Sequence, residues 1–145
     1  MKTGIKYIVF ALTLGVAAIL AAQTQEANPL APYIPKNMKA YYLILLVKGD
    51  KSRAGLSEAE NTALMQKHLA HLRKQVEAGK FLIVGPLLDD DRIRGIAVAQ
   101  AANAEEAAQL ERGDALVDGG WLKTEVHPVM LEDLSSVKAE YPEQK

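Results

Sequence analysis

The sequence predicts an α+β domain with element order strand, helix, strand, strand, helix, strand and an antiparallel sheet. Three observations carry this: an apolar run of strand length at 40–48, two helical segments that each open with capping-box spacing and close at a glycine, and short β-rich runs between and after them. The chain has 145 residues, 24% charged and 49% hydrophobic, which is the size and composition of one globular domain.

The first strand is Ala40 to Lys48, AYYLILLVK, a continuous run of aromatic and branched residues ending at Gly49-Asp50. Ser57 with Glu60 has the spacing of a capping box, and no Gly or Pro follows until Gly79, so 58–78 reads as a long helix. Met65, Leu69, Leu72 and Val76 recur at helical spacing and predict one apolar stripe facing the core. On that wheel His68 falls on the flank of the stripe, and His71 points toward the opposite, solvent side. Lys80 to Val84 is a short second strand closed by Gly85-Pro86, and GPLLDDDR leads into a third strand, GIAVAQ, so the two form a hairpin across an acidic loop. Asn103 with Glu106 opens an Ala-rich second helix that stops at Gly113. From Trp121 to Met130 the chain alternates Leu122, Thr124, Val126 against Lys123, Glu125, His127, which predicts a fourth strand with one face wet or facing a partner. Trp121 reads as a core or interface residue.

Both ends lie outside this domain. Lys2 and Lys6, the uncharged run Tyr7 to Leu20 and Ala21-Ala22 before Gln23 read as a secretory signal over 1–22; the alternative is an uncleaved N-terminal anchor. A periplasmic or secreted location is therefore expected. Residues 23–38 carry Pro29, Pro32 and Pro35 at every third position, an extended linker, and the domain spans 39–130. Residues 131–145 read as either a short helical extension or a frayed tail. Without 1–22, the 15 basic residues that remain against 18 acids give a formal charge of −3, scattered rather than clustered, which argues against nucleic acid as a partner. The chain contains no cysteine, which excludes disulfides, thiol nucleophiles and Cys-ligated zinc.

The element order is the split βαβ of ferredoxin-like domains. Both helices of such a domain cover one sheet face, and pairing the other face with a second copy is the simplest way to bury it, so a homodimer is expected. The stretch HLAHLRKQVEAGKFLIVGPLLDD, from His68 to Asp90, resembles the central signature of the YCII (YciI-like) domain family: a helix-borne histidine, a glycine eleven residues on, an apolar strand ending in Gly-Pro, and an acidic turn. GIAVAQ, the helix after Asn103, the Asp114-Ala115 turn and TEVHPVM are similar to the rest of that domain in order and spacing. The resemblance implies a ferredoxin-like fold assembled as a dimeric α/β barrel. It also implies an active-site pair made of His68 and an aspartate beyond Gly85-Pro86, Asp89 or Asp90, lining a small pocket. This chain departs from the family pattern in having Asp91-Arg92-Ile93-Arg94 ahead of Gly95, and Ala115 where members carry a proline.

A histidine beside a carboxylate is a general acid/base unit: the acid fixes the tautomer through one ring nitrogen and the other nitrogen moves a proton. The leading expectation is an enzyme that uses this pair for isomerisation, elimination or hydrolysis of a small organic molecule. The alternatives are a non-catalytic binding dimer with the same pocket, and a haem or metal protein using His68, His71 or His127. His68 and His71 have a chelating i, i+3 spacing, but there is no HExxH pattern and no third ligand stands out, so neither cofactor nor metal is expected. The acids 89–91 lack the alternate spacing of a calcium loop. Ser57 reads as a helix cap, and neither a nucleophile elbow nor a phosphate-binding glycine loop is present.

Overall fold

A computed structural model describes residues 29–89 and 91–142. The proposed signal over 1–22, the first part of the linker, Asp90 and the last three residues lie outside the described residues. Ahead of the domain, Ala31–Tyr33 forms an exposed 3₁₀ turn where an extended linker is expected. Among the described residues no helix is long and apolar enough to cross a membrane.

The elements follow the expected order, with one addition: β1 (Met38–Lys48), α1 (Glu58–Glu77), β2 (Phe81–Pro86), β3 (Ile93–Ala99), α2 (Ala104–Gln109), a one-turn α3 (Ala115–Asp118) and β4 (Leu122–Glu132). The strands form one sheet in the order β2-β3-β1-β4, and every pair is antiparallel. This is the ferredoxin-like α+β arrangement, in which α1 connects β1 to β2 across the intervening β3.

α1 begins where its capping box says it should. Ser57 Oγ accepts from Glu60 N–H, and the Glu60 carboxylate accepts from Ser57 N–H at 2.8 Å. α2 is capped by Asn103, whose side chain accepts from Glu106 N–H at 2.8 Å. It is shorter than the run to Gly113 suggests, because 110–114 winds through successive i to i+3 hydrogen bonds instead.

Alternate residues of β1 point to the helices. Ile44 packs with Phe81, Ala97, Ala99 and Ala107 in one core cluster, flanked by Leu72 and Val76 of α1. Leu46 packs with Leu116 and Leu122 in a second cluster, flanked by Leu64, Met65 and Trp121. Full burial of a side chain such as Ile44 or Phe81 stabilises by about 1.5–3 kcal/mol. Trp121 is half-buried and packs against the second cluster, with Lys51 Nζ 5.1 Å above its ring. Its ring lies against Gly119, where a Cβ would come within 2.0 Å of it.

The inward face of α1 differs from the expected stripe. It is centred near His68, and Leu69, about 100° further round, is 56% exposed. The same rotation brings His71 onto the half-buried side next to α2 rather than into solvent. His68 therefore interrupts the apolar face between Met65, which serves one cluster, and Leu72, which serves the other.

On the other sheet face, β1 places Leu43 and Leu45 beside Val98 and Ile96 of β3 and beside His127 and Glu125 of β4. Among the described residues, neither helix-packed core cluster includes them. Among its described residues the C-terminal segment forms no helix; it turns at Leu134–Val137, donates Leu134 N–H to the Tyr41 hydroxyl at 3.0 Å, and sets the Tyr141 ring 4.7 Å from the Arg73 guanidinium of α1.

Candidate functional site

Two polar ridges meet inside the helix layer. One is the α1 turn carrying His68 and His71, and the other is the connection from α2 to α3 carrying Glu111 and Asp114. His68 is 7% exposed, Glu111 1% and Asp114 0%. Charged side chains are seldom buried this deeply without partners.

Asp114 is fixed before it meets the histidine. Gly113 ahead of it has φ +89°, a left-handed conformation that side-chain-bearing residues rarely take, and this turn delivers Asp114 to the N-cap of α3. Asp114 Oδ1 accepts from Leu116 N–H at 2.9 Å and Val117 N–H at 3.2 Å. The other oxygen, Oδ2, lies 2.6 Å from His68 Nδ1. Burial works against its ionisation, yet the hydrogen bond and charge of His68, with the two backbone N–H groups, hold the Asp114 carboxyl below the usual carboxylate range. An ionised Asp114 requires Nδ1 to carry the proton, which leaves Nε2 as the working nitrogen. Nε2 makes no hydrogen bond among the described residues, and the His68 side chain keeps 9% of its surface exposed.

His71 faces the same connection from one turn further along α1. Its Nε2 lies 2.8 Å from the Leu110 carbonyl oxygen, which also accepts from Gln75 Nε2 at 3.0 Å. Only a protonated nitrogen can donate to a carbonyl, so Nε2 carries hydrogen and, in the neutral ring, Nδ1 holds the lone pair. Glu111 completes the group. Neither of its carboxylate oxygens has a hydrogen-bond partner, and burial, reinforced by the nearby Asp114 charge, pushes its carboxyl up to about 7. One ligand atom each from His71, Glu111 and Asp114 lies within 4.8 Å of the others.

Among the described residues the carboxylate that meets His68 is Asp114, 46 residues on. Asp89 is exposed in the β2–β3 connection and makes no hydrogen bond or ion pair with His68. Asp90 lies outside the described residues. His127 stands apart on the open sheet face, 55% exposed and 4.0 Å from Glu125. A cavity of 180 Å³ lies elsewhere, lined by Lys39, Ala40, Tyr41, Gln100, Asp133 and Ser135, and contains none of the dyad residues.

A family model for the YCII-related domain matches residues 40–130, most of the folded unit. The chain belongs to the YCII family. Its match begins in β1 and ends in β4, so it takes in both α1, which carries His68, and the turn that carries Asp114. No curated protein matches the sequence.

Within this YCII domain, sequence reasoning singled out the histidine and missed its partner. The available signal was the Gly113-Asp114 pair followed by an apolar turn, since a glycine able to take positive φ before an aspartate marks a short helix cap. Glu111 left no signal, because an acid three residues before another acid in a polar stretch reads as solvent-facing.

Proposed function

We propose that this YCII-family protein acts on a small organic molecule by moving a proton through His68, with Asp114 as the residue that orients and charges the imidazole. The 2.6 Å contact between His68 Nδ1 and Asp114 Oδ2 is the observation that carries this reading. The carboxylate holds the neutral ring in the Nδ1–H tautomer and stabilises imidazolium once Nε2 has taken a proton, so one residue serves in turn as base and acid. Such a group suits isomerisation, elimination or hydrolysis, reactions that need a proton taken from one atom and returned to another. Substituting the base in a unit of this kind lowers the rate by about 10²–10⁴-fold.

The protein works as an exported homodimer. The charged n-region and apolar run at the N-terminus support export. The sheet face away from the helices, where Leu43, Leu45 and Ile96 are only partly buried, supports face-to-face pairing of two sheets.

The test is solvent deuterium uptake into a panel of cyclic and aromatic carbon acids and lactones, followed by mass spectrometry. Wild-type protein should catalyse uptake or turnover of a subset of the panel, and His68→Gln should abolish it. Equal activity in both proteins would contradict the assignment.

A further inference from the structure

Proton transfer through His68 and Asp114 leaves Glu111 without a role, although it is the least comfortable side chain in the structure. It is 1% exposed and neither oxygen has a partner. Native interiors almost always supply donors or a cation to a buried carboxyl group, so this one points to a missing partner. We propose that His71, Glu111 and Asp114 form a binding site for one first-row divalent transition-metal ion, with Zn²⁺ the best match to the donor set.

Each ligand is prepared independently. The hydrogen bond from His71 Nε2 to the Leu110 carbonyl sets both the ring plane and the tautomer, and presents the Nδ1 lone pair. Metal-binding histidines are characteristically oriented by such a bond from the opposite ring nitrogen to a backbone carbonyl or carboxylate. The Gly113 turn passes directly beside that nitrogen, since a Cβ built on it would stand 3.9 Å from Nδ1, at ordinary van der Waals contact. Asp114 uses three of the roughly four acceptor sites of a carboxylate for Leu116, Val117 and His68, which leaves one for a cation. Glu111 has all of its acceptor sites unused.

The spacing needs only a small closure. Ligand atoms within 4.8 Å of one another must draw in to roughly 3.4 Å, the edge of a tetrahedron with metal–ligand distances of about 2.0–2.2 Å. Glu111, whose oxygens are held by no hydrogen bond, is the ligand best able to move. One imidazole nitrogen and two carboxylates fit zinc or a neighbouring transition ion better than calcium or magnesium, which favour all-oxygen shells. Three protein ligands leave a coordination position open. His68 then stands one step from the ion, bonded to one of its ligands.

Zinc binding is read directly and needs no substrate, so its outcome is separable from that of the proton-transfer reading. Tag-free protein is treated with chelator, dialysed, and titrated with ZnCl₂ by calorimetry and with CoCl₂ by visible absorption. One saturable site per chain is expected, with cobalt bands of a low-coordinate ion and much weaker heat from CaCl₂. Glu111→Gln, Glu111→Met and His71→Gln should each weaken zinc by at least about tenfold, while circular dichroism shows the fold retained; Glu111→Met removes a buried charge and guards against a trivial loss of folding. His127→Gln should leave zinc binding unchanged. Absence of saturable binding, equal affinity in the folded Glu111 and His71 variants, or loss of the site in His127→Gln would each overturn the proposal.

Discussion

His68 Nδ1 and Asp114 Oδ2 meet at 2.6 Å across 46 residues of sequence, inside the helix layer and between the two apolar clusters of the core. The same aspartate caps α3, so the helix that completes the core and the histidine partner depend on one side chain.

Two substitutions at Asp114 separate these duties. Asp114→Ala removes the cap, worth about 1 kcal/mol, and strands a buried imidazole at a further cost of about 1–3 kcal/mol. Asp114→Asn keeps an oxygen for the Leu116 and Val117 N–H groups and should lose less. Chemical denaturation should therefore rank wild type above Asn and Asn above Ala, with activity lost in both variants.

Glu111 should prove destabilising in metal-free protein. Replacing a buried, unpartnered carboxyl by an apolar chain of similar length is expected to raise stability at neutral pH by about 1–3 kcal/mol. Thermal melting of Glu111→Met in the presence of chelator checks this, and a lower midpoint than wild type would contradict it.

The pH dependence follows from the same group. The folded-state value for Glu111 lies at about 7, above the ordinary 4.5, because burial and then the Asp114 charge disfavour ionisation. The folded protein thus holds this proton more tightly than the unfolded chain. Its contribution is fully present below about pH 4.5 and is lost as pH rises through about 7, on the order of 3 kcal/mol in all. Asp114 has the opposite sign: its depressed value gives stability present above the usual carboxylate range and lost as pH falls through its folded value. Denaturation of chelator-treated protein from pH 5 to 8 should show a decline in wild type that is flattened in Glu111→Gln.

Backbone geometry beside the site is equally testable. Gly113→Ala imposes a side chain on a residue at φ +89° and should cost about 1–2 kcal/mol. Gly119→Ala drives a Cβ to 2.0 Å from the Trp121 ring and should cost about 1–3 kcal/mol by overpacking. Denaturant midpoints of both variants check these values; unchanged midpoints would contradict the turn geometry.

The open sheet face tests the dimer. Leu45 lies between Ile96 and Glu125, so Leu45→Lys places a charge beside an acid and leaves the protomer able to fold. Sedimentation velocity should find wild-type protein as a dimer and this variant as a monomer. A monomeric wild type would contradict face-to-face pairing.

The fold was legible because its signals are local. The β1 run, the Ser57–Glu60 box and the alternation in β4 each fall within a single element. The orientation of α1 was read less well, since Leu69 fits the apolar spacing and only the contacts of His68 and Leu72 show which way the helix faces. His71 followed that error. Asp114 was hidden for another reason: a carboxylate 46 residues from its histidine carries no spacing that names it, and the acids after Gly85-Pro86 drew attention as a conspicuous run. Burial of Glu111 is a tertiary outcome that no local pattern records.

The most direct test of the central claim is the tautomer of His68, measured by ¹⁵N-resolved NMR of the imidazole in wild-type and Asp114→Asn protein. The account predicts that the neutral form of the ring is protonated at Nδ1 and bare at Nε2 in wild type, with that preference lost in Asp114→Asn. A ring protonated at Nε2 in wild-type protein, or one unaffected by the substitution, would contradict it.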